Sequence, residues 1–519
     1  MKIEAIPYTI LAVAPFRSGA GAPAAPVAVC LESLDAAIAT LKPEFQCPVP
    51  KGFLPSGWLA VQPSRLKDFK PDGLIQTVPE LRALHDAGLF LDESLARALQ
   101  PEIIRDEIQS RWPSLGLDLS ISEAPPREQA VDDLLAMVAL PSESPGGAGS
   151  PKGWRSQVRE RLAGLVAAIF ADESFRQAEA AWRGLEVLLR QGPVKEGGTV
   201  RLRLLPAGRE DLPAVLDRLV TELLDDPPSL VVIDHSFDST PPDLELLAKV
   251  AGLGETLLAP CVAWVNPRFL QLGDWSELGR LSLLAHAMED PVFAKWRHLR
   301  EEPASHWLAL ACNRFLARAP YGRDNPSRGV DFQETDPLWV SPVWALAALI
   351  AQSLARTGWP SRFTAYPEIA LADLAVGDFG AGAATATETL LGEERVRQFA
   401  QIGLIPLVGM PGRDIAFIPR EATAAGTSLR FQLFFNQLTG FLLRLKDFPG
   451  AGFTEGPLEE NLTRAIEALF RETGHRPPDD LEIRQAAAGE GDTIPLYISL
   501  TPPRTILSAQ EKLEFTFTW

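Results

Sequence analysis

Residues 172–193 constrain the fold of this chain more than any other stretch, because they carry the pattern of a complete amphipathic helix. Apolar side chains recur at three- and four-residue steps, which is the period of a helix that packs on a core. Asp172 can cap the first turn, and Gly192 followed by Pro193 is typical of a helix end with a left-handed residue. We therefore expect one long helix here. Its apolar face comprises Phe175, Ala178, Trp182, Leu185, Leu188 and Leu189.

The opposite face of this helix is charged, with Glu179 four residues before Arg183 and Glu186 four residues before Arg190. An acid placed before a base at this spacing stabilises a helix by about 0.2–0.5 kcal/mol per pair. Gly184 costs about 1 kcal/mol relative to Ala inside a helix, and it lies close to the large side chain of Trp182. The combination predicts a close crossing with a neighbouring element. An ordinary core helix accounts for this pattern as well as a functional motif does.

The composition indicates a folded protein with more than one domain, since single cores stop growing near roughly 250–300 residues and this chain has 519. The net charge of −18 would repel phosphate backbones and anionic lipids. We expect no nucleic-acid partner and no membrane insertion. The N-terminal apolar run is broken by Glu4 and Pro7 and has no cleavage site, so it does not resemble a signal peptide and a cytoplasmic location is expected.

Patterns that bind metals or cofactors are missing from the sequence. The four cysteines show no C-x-x-C spacing, the six histidines are isolated, and no P-loop motif occurs. The Gly380 to Gly382 loop has Thr385 where a dinucleotide-binding loop would have its third glycine. We therefore expect no cofactor, no metal site and no catalytic residues. The cysteines are Cys30, Cys47, Cys261 and Cys312.

The best candidate for catalysis is Asp234, which follows the apolar run 230–233. Such a run is typical of a strand buried on both faces, and α/β proteins often place ligand sites where such strands end. A hydrophobic strand that ends in Asp resembles the nucleophile strand of haloacid-dehalogenase-type phosphatases. Those enzymes require a second acid two residues on, where this chain has Ser236. A metal-dependent phosphatase therefore remains only an alternative, and capping of the following turn is the structural interpretation.

Several short motifs resemble TssC, the large sheath subunit of the type VI secretion system. They recur in the family's order along the chain, which is far less expected by chance than any single motif. The helix matches an "F…E..WRGL" segment, and later stretches match "LxxPRxLxRxPYG", with Asn313 in place of its first proline, and "FxE". The residues that carry the resemblance are Phe175, Glu179, Trp182, Arg183, Gly184, Leu185, Arg314, Leu316, Arg318, Pro320, Tyr321, Gly322, Phe332 and Glu334.

Arg314 and Arg318 in these motifs need a separate explanation, because two arginines four residues apart could also bind phosphate. With no P-loop in the chain, we interpret them as members of structural ion pairs, with Glu334 or Glu302 as partners.

The N-terminal part resembles TssB, the small sheath subunit. Residues 68–72 read DFKPD, which matches that family's "DFxPD" segment, and residues 6–16 correspond to its opening strand without the Gly-Asp pair. The stretch 141–153 has the composition of a flexible linker. The resemblance therefore implies a TssB-like domain at 1–140, a linker at 141–153 and a TssC-like domain at 154–519, fused in one chain. In the family these two subunits form an obligate heterodimer.

The C-terminus predicts two half-buried strands, because apolar and polar residues alternate over 493–500 and again over 512–519. The apolar side of the last strand must be covered. Its residues are candidates for a subunit interface. They are Leu513, Phe515, Phe517 and Trp519.

Together these observations predict an α/β fold, with mixed sheets flanked by helices. The resemblance implies a structural subunit of a contractile sheath rather than an enzyme. It also implies partners: other sheath subunits or further copies of itself, an inner tube, a baseplate and a ClpV-type AAA+ ATPase. The family's small subunit carries an N-terminal arm ahead of its first core strand, and this sequence starts almost at that strand. A non-polymerising adaptor or cap of the same apparatus is therefore the alternative.

Overall fold

The computed structural model describes residues 7–18, 25–120, 150–447, 456–485 and 494–519. The strands are β1 (Tyr8–Ala14), β2 (Val27–Val29), β3 (Phe45–Pro48), β4 (Trp58–Val61), β5 (Val200–Pro206), β6 (Leu230–Phe237), β7 (Cys261–Val265), β8 (Leu308–Cys312), β9 (Phe315–Arg318), β10 (Leu338–Val340), β11 (Leu404–Pro406), β12 (Val408–Gly409), β13 (Ala416–Phe417), β14 (Glu482–Gln485), β15 (Pro495–Leu500) and β16 (Leu513–Thr518).

The α-helices of the described residues are α1 (Leu34–Leu41), α2 (Pro71–Thr77), α3 (Pro79–Ala96), α4 (Pro101–Arg111), α5 (Pro151–Ala171), α6 (Glu173–Gln191), α7 (Leu212–Glu222), α8 (Pro241–Leu257), α9 (Leu284–Ala287), α10 (Ala294–Glu301), α11 (Pro342–Thr357), α12 (Glu393–Gln401), α13 (Leu429–Asp447) and α14 (Leu458–Glu472). None of them combines the length and the apolar character that crossing a membrane requires.

A seven-stranded sheet forms the largest element of the fold, in the order β11-β8-β7-β6-β1-β5-β2. Its strands are parallel except β2, which runs antiparallel to β5. Side chains from β1 and β6 pack with α7 and α8 in one apolar core, and α11 contacts β6, β7 and β8. The predicted class, α/β with mixed sheets flanked by helices, is confirmed.

Strand β1 lies in the centre of this sheet, and all seven of its residues are buried. It pairs in parallel with β5 on one side and with β6 on the other, where Ile10 lies opposite Leu230. The sequence assigned these two strands to parts on either side of the 141–153 stretch, and it did not predict that they pair directly. A continuous apolar run shows that a strand is buried but does not show which strand lies beside it.

The chain forms two compact units. The first comprises residues 1–37, 178–319 and 337–519, and the second comprises 38–177 and 320–336. The expected division into 1–140 and 154–519 was based on resemblance to two sheath subunits. The two compact units are defined by contacts within the fold, so they do not test that division. It stays a prediction.

The second unit contains the hairpin β3–β4 and the packed helix pair α3 and α5. The sequence did not suggest α5. Its first turn, residues 151–153, was assigned to the linker, yet Gly153 N–H donates to Ser150 Oγ at 3.2 Å as in a capped helix. Residues 141–149 of the expected linker lie outside the described residues.

The first unit also contains a C-terminal sheet in the order β14-β15-β16, which packs on α13 and α14. Both predicted C-terminal strands are confirmed. The sequence of residues 387–402 has a helical pattern, but the helix begins only at Glu393, because Thr387 forms a bridge with Phe315 and Glu388 N–H donates to the Arg314 carbonyl.

Candidate functional site

Helix α6 begins as predicted but does not end as predicted. Asp172 Oδ1 accepts a hydrogen bond from Phe175 N–H at 2.9 Å, so the cap is confirmed. Gly192 is not among the residues with positive φ, so the left-handed end is wrong. A Cβ at position 192 would instead lie 2.8 Å from Ala351 Cβ. The glycine therefore lets α6 and α11 approach each other closely.

The close crossing predicted at Gly184 is confirmed. A Cβ there would lie 2.2 Å from Cδ1 of Trp344, so an indole ring of α11 occupies the space that a side chain would take. Trp182 is fully buried and donates its Nε1 hydrogen to the Phe16 carbonyl at 3.0 Å. The ring of Phe16 lies 4.7 Å from that of Trp182 and 6.0 Å from that of Trp344. Residues of the predicted TssC-like and TssB-like motifs thus share one aromatic cluster.

Asp234 is tied to the same cluster. It lies inside β6 rather than beyond its end, so the expected cap is wrong, and its carboxylate accepts a hydrogen bond from Trp344 Nε1 at 2.7 Å. Burial raises the pKa of this carboxyl, although interactions with Ser341, Trp344 and Trp264 oppose the shift. The group holds Trp344 in place, and no cluster of three or more metal-ligating side chains occurs among the described residues.

Glu179 is completely buried, although the sequence assigned it to the charged face of α6. Its carboxylate binds the Arg318 guanidinium through bonds of 2.9 and 3.0 Å, and Arg183 Nε donates to it at 3.3 Å. Burial alone would raise the pKa of Glu179, but the two arginines outweigh that effect and the pKa is lowered. Two motifs that are 139 residues apart therefore meet in one buried ion-pair network.

Arg314 forms a bidentate pair with Glu388, at 2.9 and 2.7 Å. Arg314 and Arg318 flank and end strand β9 rather than sharing a helix face. Both arginines form ion pairs, as the sequence interpretation expected, and they bind carboxylates that it did not name, Glu388 and Glu179. The carboxylate partners lie far away in the sequence, and the local spacing of residues does not predict such distant contacts.

Glu334 organises the remaining motif residues within the second unit. Its carboxylate pairs with Arg176 and accepts the Tyr321 N–H at 2.9 Å. The Tyr321 ring packs 5.8 Å from Phe332, and both lie against Phe170. The "PYG" and "FxE" segments, Pro320 to Gly322 and Phe332 to Glu334, are thus joined by one carboxylate.

The DFKPD segment also has a structural role in this unit. Asp68 is 1% exposed and accepts hydrogen bonds from the backbone of Ser64 and Arg65. Asp72 accepts the Gly329 N–H at 2.9 Å and the Ser327 hydroxyl at 3.2 Å. Through these hydrogen bonds, the two carboxylates of the motif hold the backbone at residues 64–65 and 327–329 in place.

The apolar face of β16 is covered by its own unit. Leu513 and Phe517 are buried, Phe515 and Trp519 are partly buried, and the Phe515 ring lies 5.3 Å from that of Phe435. Leu513 and Phe517 therefore need no second molecule to leave water, whereas Phe515 and Trp519 keep part of their surface exposed. Their role as interface residues stays a prediction.

The backbone of β16, unlike its buried side chains, remains available for pairing on one side, because this strand lies at the edge of its sheet. Trp519 and Ile494 exchange both of their main-chain hydrogen bonds. Since such pairs alternate along an antiparallel ladder, the N–H and C=O groups of Glu514, Thr516 and Thr518 point outward. The Thr518 carbonyl accepts from Lys446 Nζ at 3.1 Å. Outward N–H groups of this strand have no partner among the described residues.

Comparison with known proteins places the relationship in the middle of the chain. Residues 225–424 match the family model described as VipB: EvpB/VC_A0108, tail sheath N-terminal domain. The chain is 28% identical over 288 residues to the type VI secretion system sheath protein TssC1 of Pseudomonas aeruginosa. That alignment covers 49% of this chain and 57% of the relative, so the chain spans little more than half of that protein.

Two solved structures show a more distant likeness. The anti-feeding prophage baseplate, 6-fold symmetrised, matches with a TM-score of 0.33 at 10% identity, over 65% of this chain and 76% of that one. The contracted helical sheath of the same prophage matches with a TM-score of 0.31 at 12% identity, over 64% and 76%. Neither likeness is close enough to support an inference about function. By sequence, residues 225–424 are similar to a tail sheath domain, and about half of the chain is similar to the sheath protein TssC1.

Proposed function

We propose that this protein is a structural subunit of a contractile sheath or a sheath-like assembly, and that it is not an enzyme. The observation that carries this proposal is the match of residues 225–424 to the tail sheath domain, supported by the TssC1 relative. In the fold, the motif residues pack against their neighbours or form ion pairs. Glu179, for example, is neutralised by Arg318 and has no exposed surface.

We also propose that a TssB-like and a TssC-like part are fused in this chain. Strand β1, from the TssB-like part, completes the sheet between β5 and β6, and Phe16 packs on Trp182 and Trp344. If the two parts were separate chains that shared such a sheet, neither would fold without the other. Fusion fixes their ratio at one to one.

Assembly would proceed by strand sharing at β16. A strand of another subunit could pair with the outward N–H and C=O groups of Glu514 and Thr516, with main-chain hydrogen bonds giving affinity. The partner would be another copy of this chain or another cytoplasmic sheath subunit. Contacts with an inner tube, a baseplate and a ClpV-type ATPase belong to the same proposal, and a non-polymerising adaptor or cap is its alternative.

The experiment replaces Thr516 with proline, which removes one outward N–H group without removing a bond of the β15–β16 ladder. Thr516→Val keeps the N–H group and serves as the control. We expect electron microscopy of the protein, alone and with the products of its neighbouring genes, to show assemblies for the wild type and Thr516→Val but not for Thr516→Pro. Circular dichroism should be the same for all three. Unchanged assembly by folded Thr516→Pro would refute strand sharing at this edge.

The phosphatase alternative is disfavoured by the setting of Asp234, whose carboxylate is bonded to an indole and whose pKa is raised. Magnesium-dependent hydrolysis of p-nitrophenyl phosphate that disappeared in Asp234→Asn would reverse that conclusion.

A further inference from the structure

The free edge of β16 carries a pattern that fits a second copy of the same edge. Its outward N–H and C=O groups belong to Glu514, Thr516 and Thr518, whose side chains are all exposed. The residues between them turn their main-chain groups toward β15 and their side chains toward the core. When two identical strands pair antiparallel, a two-fold axis passes between them, so the residue at the axis defines the whole register.

Thr516 is the residue that fits this axis. With Thr516 opposite itself, Glu514 lies opposite Thr518 of the second copy, and all three outward residues form hydrogen-bonded pairs. Registers shifted either way leave Glu514 or Thr518 opposite positions outside the strand, which ends at Thr518. A register centred on Glu514 would also oppose two like charges, which destabilises a sheet. One register therefore uses the whole edge without a charge conflict.

The same register covers the two partly exposed aromatic side chains at this edge. Phe515 comes to lie opposite Phe517 of the second copy, and Trp519 comes to lie opposite Leu513. Opposed residues share a face of the sheet, and at these positions between the hydrogen-bonded pairs their Cα atoms are about 4.5 Å apart. Each partly exposed ring therefore meets a buried apolar side chain of the other copy, on the face that packs on α13 and α14.

The charges beside the edge agree with this register. Lys446 of α13 donates to the Thr518 carbonyl at 3.1 Å, which leaves that oxygen a second lone pair. Because Glu514 of the second copy lies opposite Thr518, an acidic residue comes to the strand position that already binds an ammonium group. The pair of Lys512 with Glu514 inside each strand is exposed and weak, so it does not compete strongly for the carboxylate.

The other edge of the same sheet, β14, fits β16 less well. Its outward main-chain groups belong to Ile483 and Gln485, and Ile483 packs toward the core. An antiparallel pair would set one of these residues opposite Thr516, so the apolar faces of the two sheets would lie on opposite sides. A parallel pair would keep the faces together, but the register that pairs all of β14 with β16 sets Glu514 against Glu482.

We propose that β16 pairs with β16 of a second copy of this chain, antiparallel and centred on Thr516. The two three-stranded sheets then form one continuous sheet of six strands. This inference rests on the strand sharing proposed above, and it names the partner and the register. A two-fold contact closes on itself, so it joins subunits in pairs, and other surfaces have to link the pairs into a larger assembly.

The first test is cysteine cross-linking of the full-length protein. Cys30→Ser removes the one cysteine that is not buried. In this background, Thr516→Cys places two thiols beside the axis, where the Cα atoms of a hydrogen-bonded pair are about 5.5 Å apart and within reach of a disulfide. We expect mild oxidation to give a covalent dimer on a non-reducing gel. Glu514→Cys and Thr518→Cys should give a dimer only when the two variants are mixed, because each position faces the other.

Sedimentation velocity measures the same contact without oxidation. The wild type and Thr516→Val should dimerise as the protein concentration rises, whereas Thr516→Pro, which lacks the N–H group at the axis, should require at least a tenfold higher concentration. Circular dichroism checks that every variant is folded.

The outcomes separate the partner from the edge. If Thr516→Pro loses assembly with neighbouring subunits while Thr516→Cys gives no dimer, the second copy is the wrong partner and strand sharing stands. Normal assembly by folded Thr516→Pro would overturn both. Equal dimer yields from all three single-cysteine variants would overturn the register, and a wild type that stays monomeric at millimolar concentration would overturn the pairing itself.

Discussion

A fully buried carboxylate such as Glu179 is tolerated only because Arg318 and Arg183 neutralise it. We predict that Glu179→Gln destabilises the protein by about 3–5 kcal/mol, the usual effect of removing one partner of a buried pair. Glu467→Gln, which breaks an exposed pair with Arg471, should cost only about 0–1 kcal/mol. Urea denaturation at pH 7 measures both. Equal changes in unfolding free energy for the two substitutions would mean that the buried network contributes no more to stability than an exposed ion pair does.

The same network predicts a dependence on pH. Because the pKa of Glu179 is lowered on folding, its stabilising contribution is present above the unfolded pKa and is lost as the pH falls through the folded one. The difference in unfolding free energy between wild type and Glu179→Gln should therefore shrink on acidification below about pH 4.

Asp234 should behave in the opposite way. Its pKa is raised by burial, so ionisation destabilises the folded protein as the pH rises above the ordinary value of 3.8. Asparagine keeps an oxygen that can accept the Trp344 N–H and cannot ionise. We predict that Asp234→Asn gains stability relative to the wild type between pH 4 and pH 8, as measured by urea denaturation. A difference that stayed constant over this range would contradict the raised pKa.

These two carboxylates show what single residues reveal in a sequence. The pair of Glu179 with Arg183 was predictable, because both partners lie within one helical turn. The burial of Glu179 was not, because it depends on Arg318, which lies on a strand 139 residues away. Asp234 was singled out correctly as unusual, but its partner Trp344 is 110 residues distant and the bond to it was missed.

The crossing of α6 and α11 gives a prediction for whole elements. Gly184→Ala should destabilise the protein by about 1–3 kcal/mol, because the new methyl group would overlap the Trp344 ring. Gly440→Ala in α13 meets no atom within 4 Å and should be neutral or stabilise by up to about 1 kcal/mol through helix propensity. Thermal denaturation followed by circular dichroism compares them. A neutral Gly184→Ala would show that Trp344 moves aside easily.

Elements with strong periodicity were predicted well. The helix α6 and the strands β15 and β16 agree with their expected ranges within a few residues. Helix α5 was missed because it begins with residues of linker-like composition and because its apolar positions lack a clear stripe. Residues 387–392 look helical in sequence, but Glu388 N–H donates to the Arg314 carbonyl and Thr389 N–H to Asn313 Oδ1 instead.

At the scale of the molecule, the central position of β1 predicts how a cut chain should behave. If residues 1–145 and 146–519 are produced together as separate chains, we expect them to purify as one complex. The reason is that β1 supplies buried side chains and main-chain bonds to β5 and β6. A tag on the shorter chain and gel filtration in native buffer test this. Recovery of the longer chain alone, soluble and folded, would contradict both the sheet order and the proposed fusion of two obligate partners.

The order of strands also has a consequence during synthesis. β1 leaves the ribosome early, but the strands on both sides of it end at Pro206 and Phe237. At roughly 5–20 residues per second, an apolar heptapeptide waits about 10–40 s before its neighbours exist. During that time YTILAVA is an aggregation-prone segment with unpaired edges. Newly made chains should therefore need a chaperone that shields residues 8–14, and slower translation should lower the soluble yield.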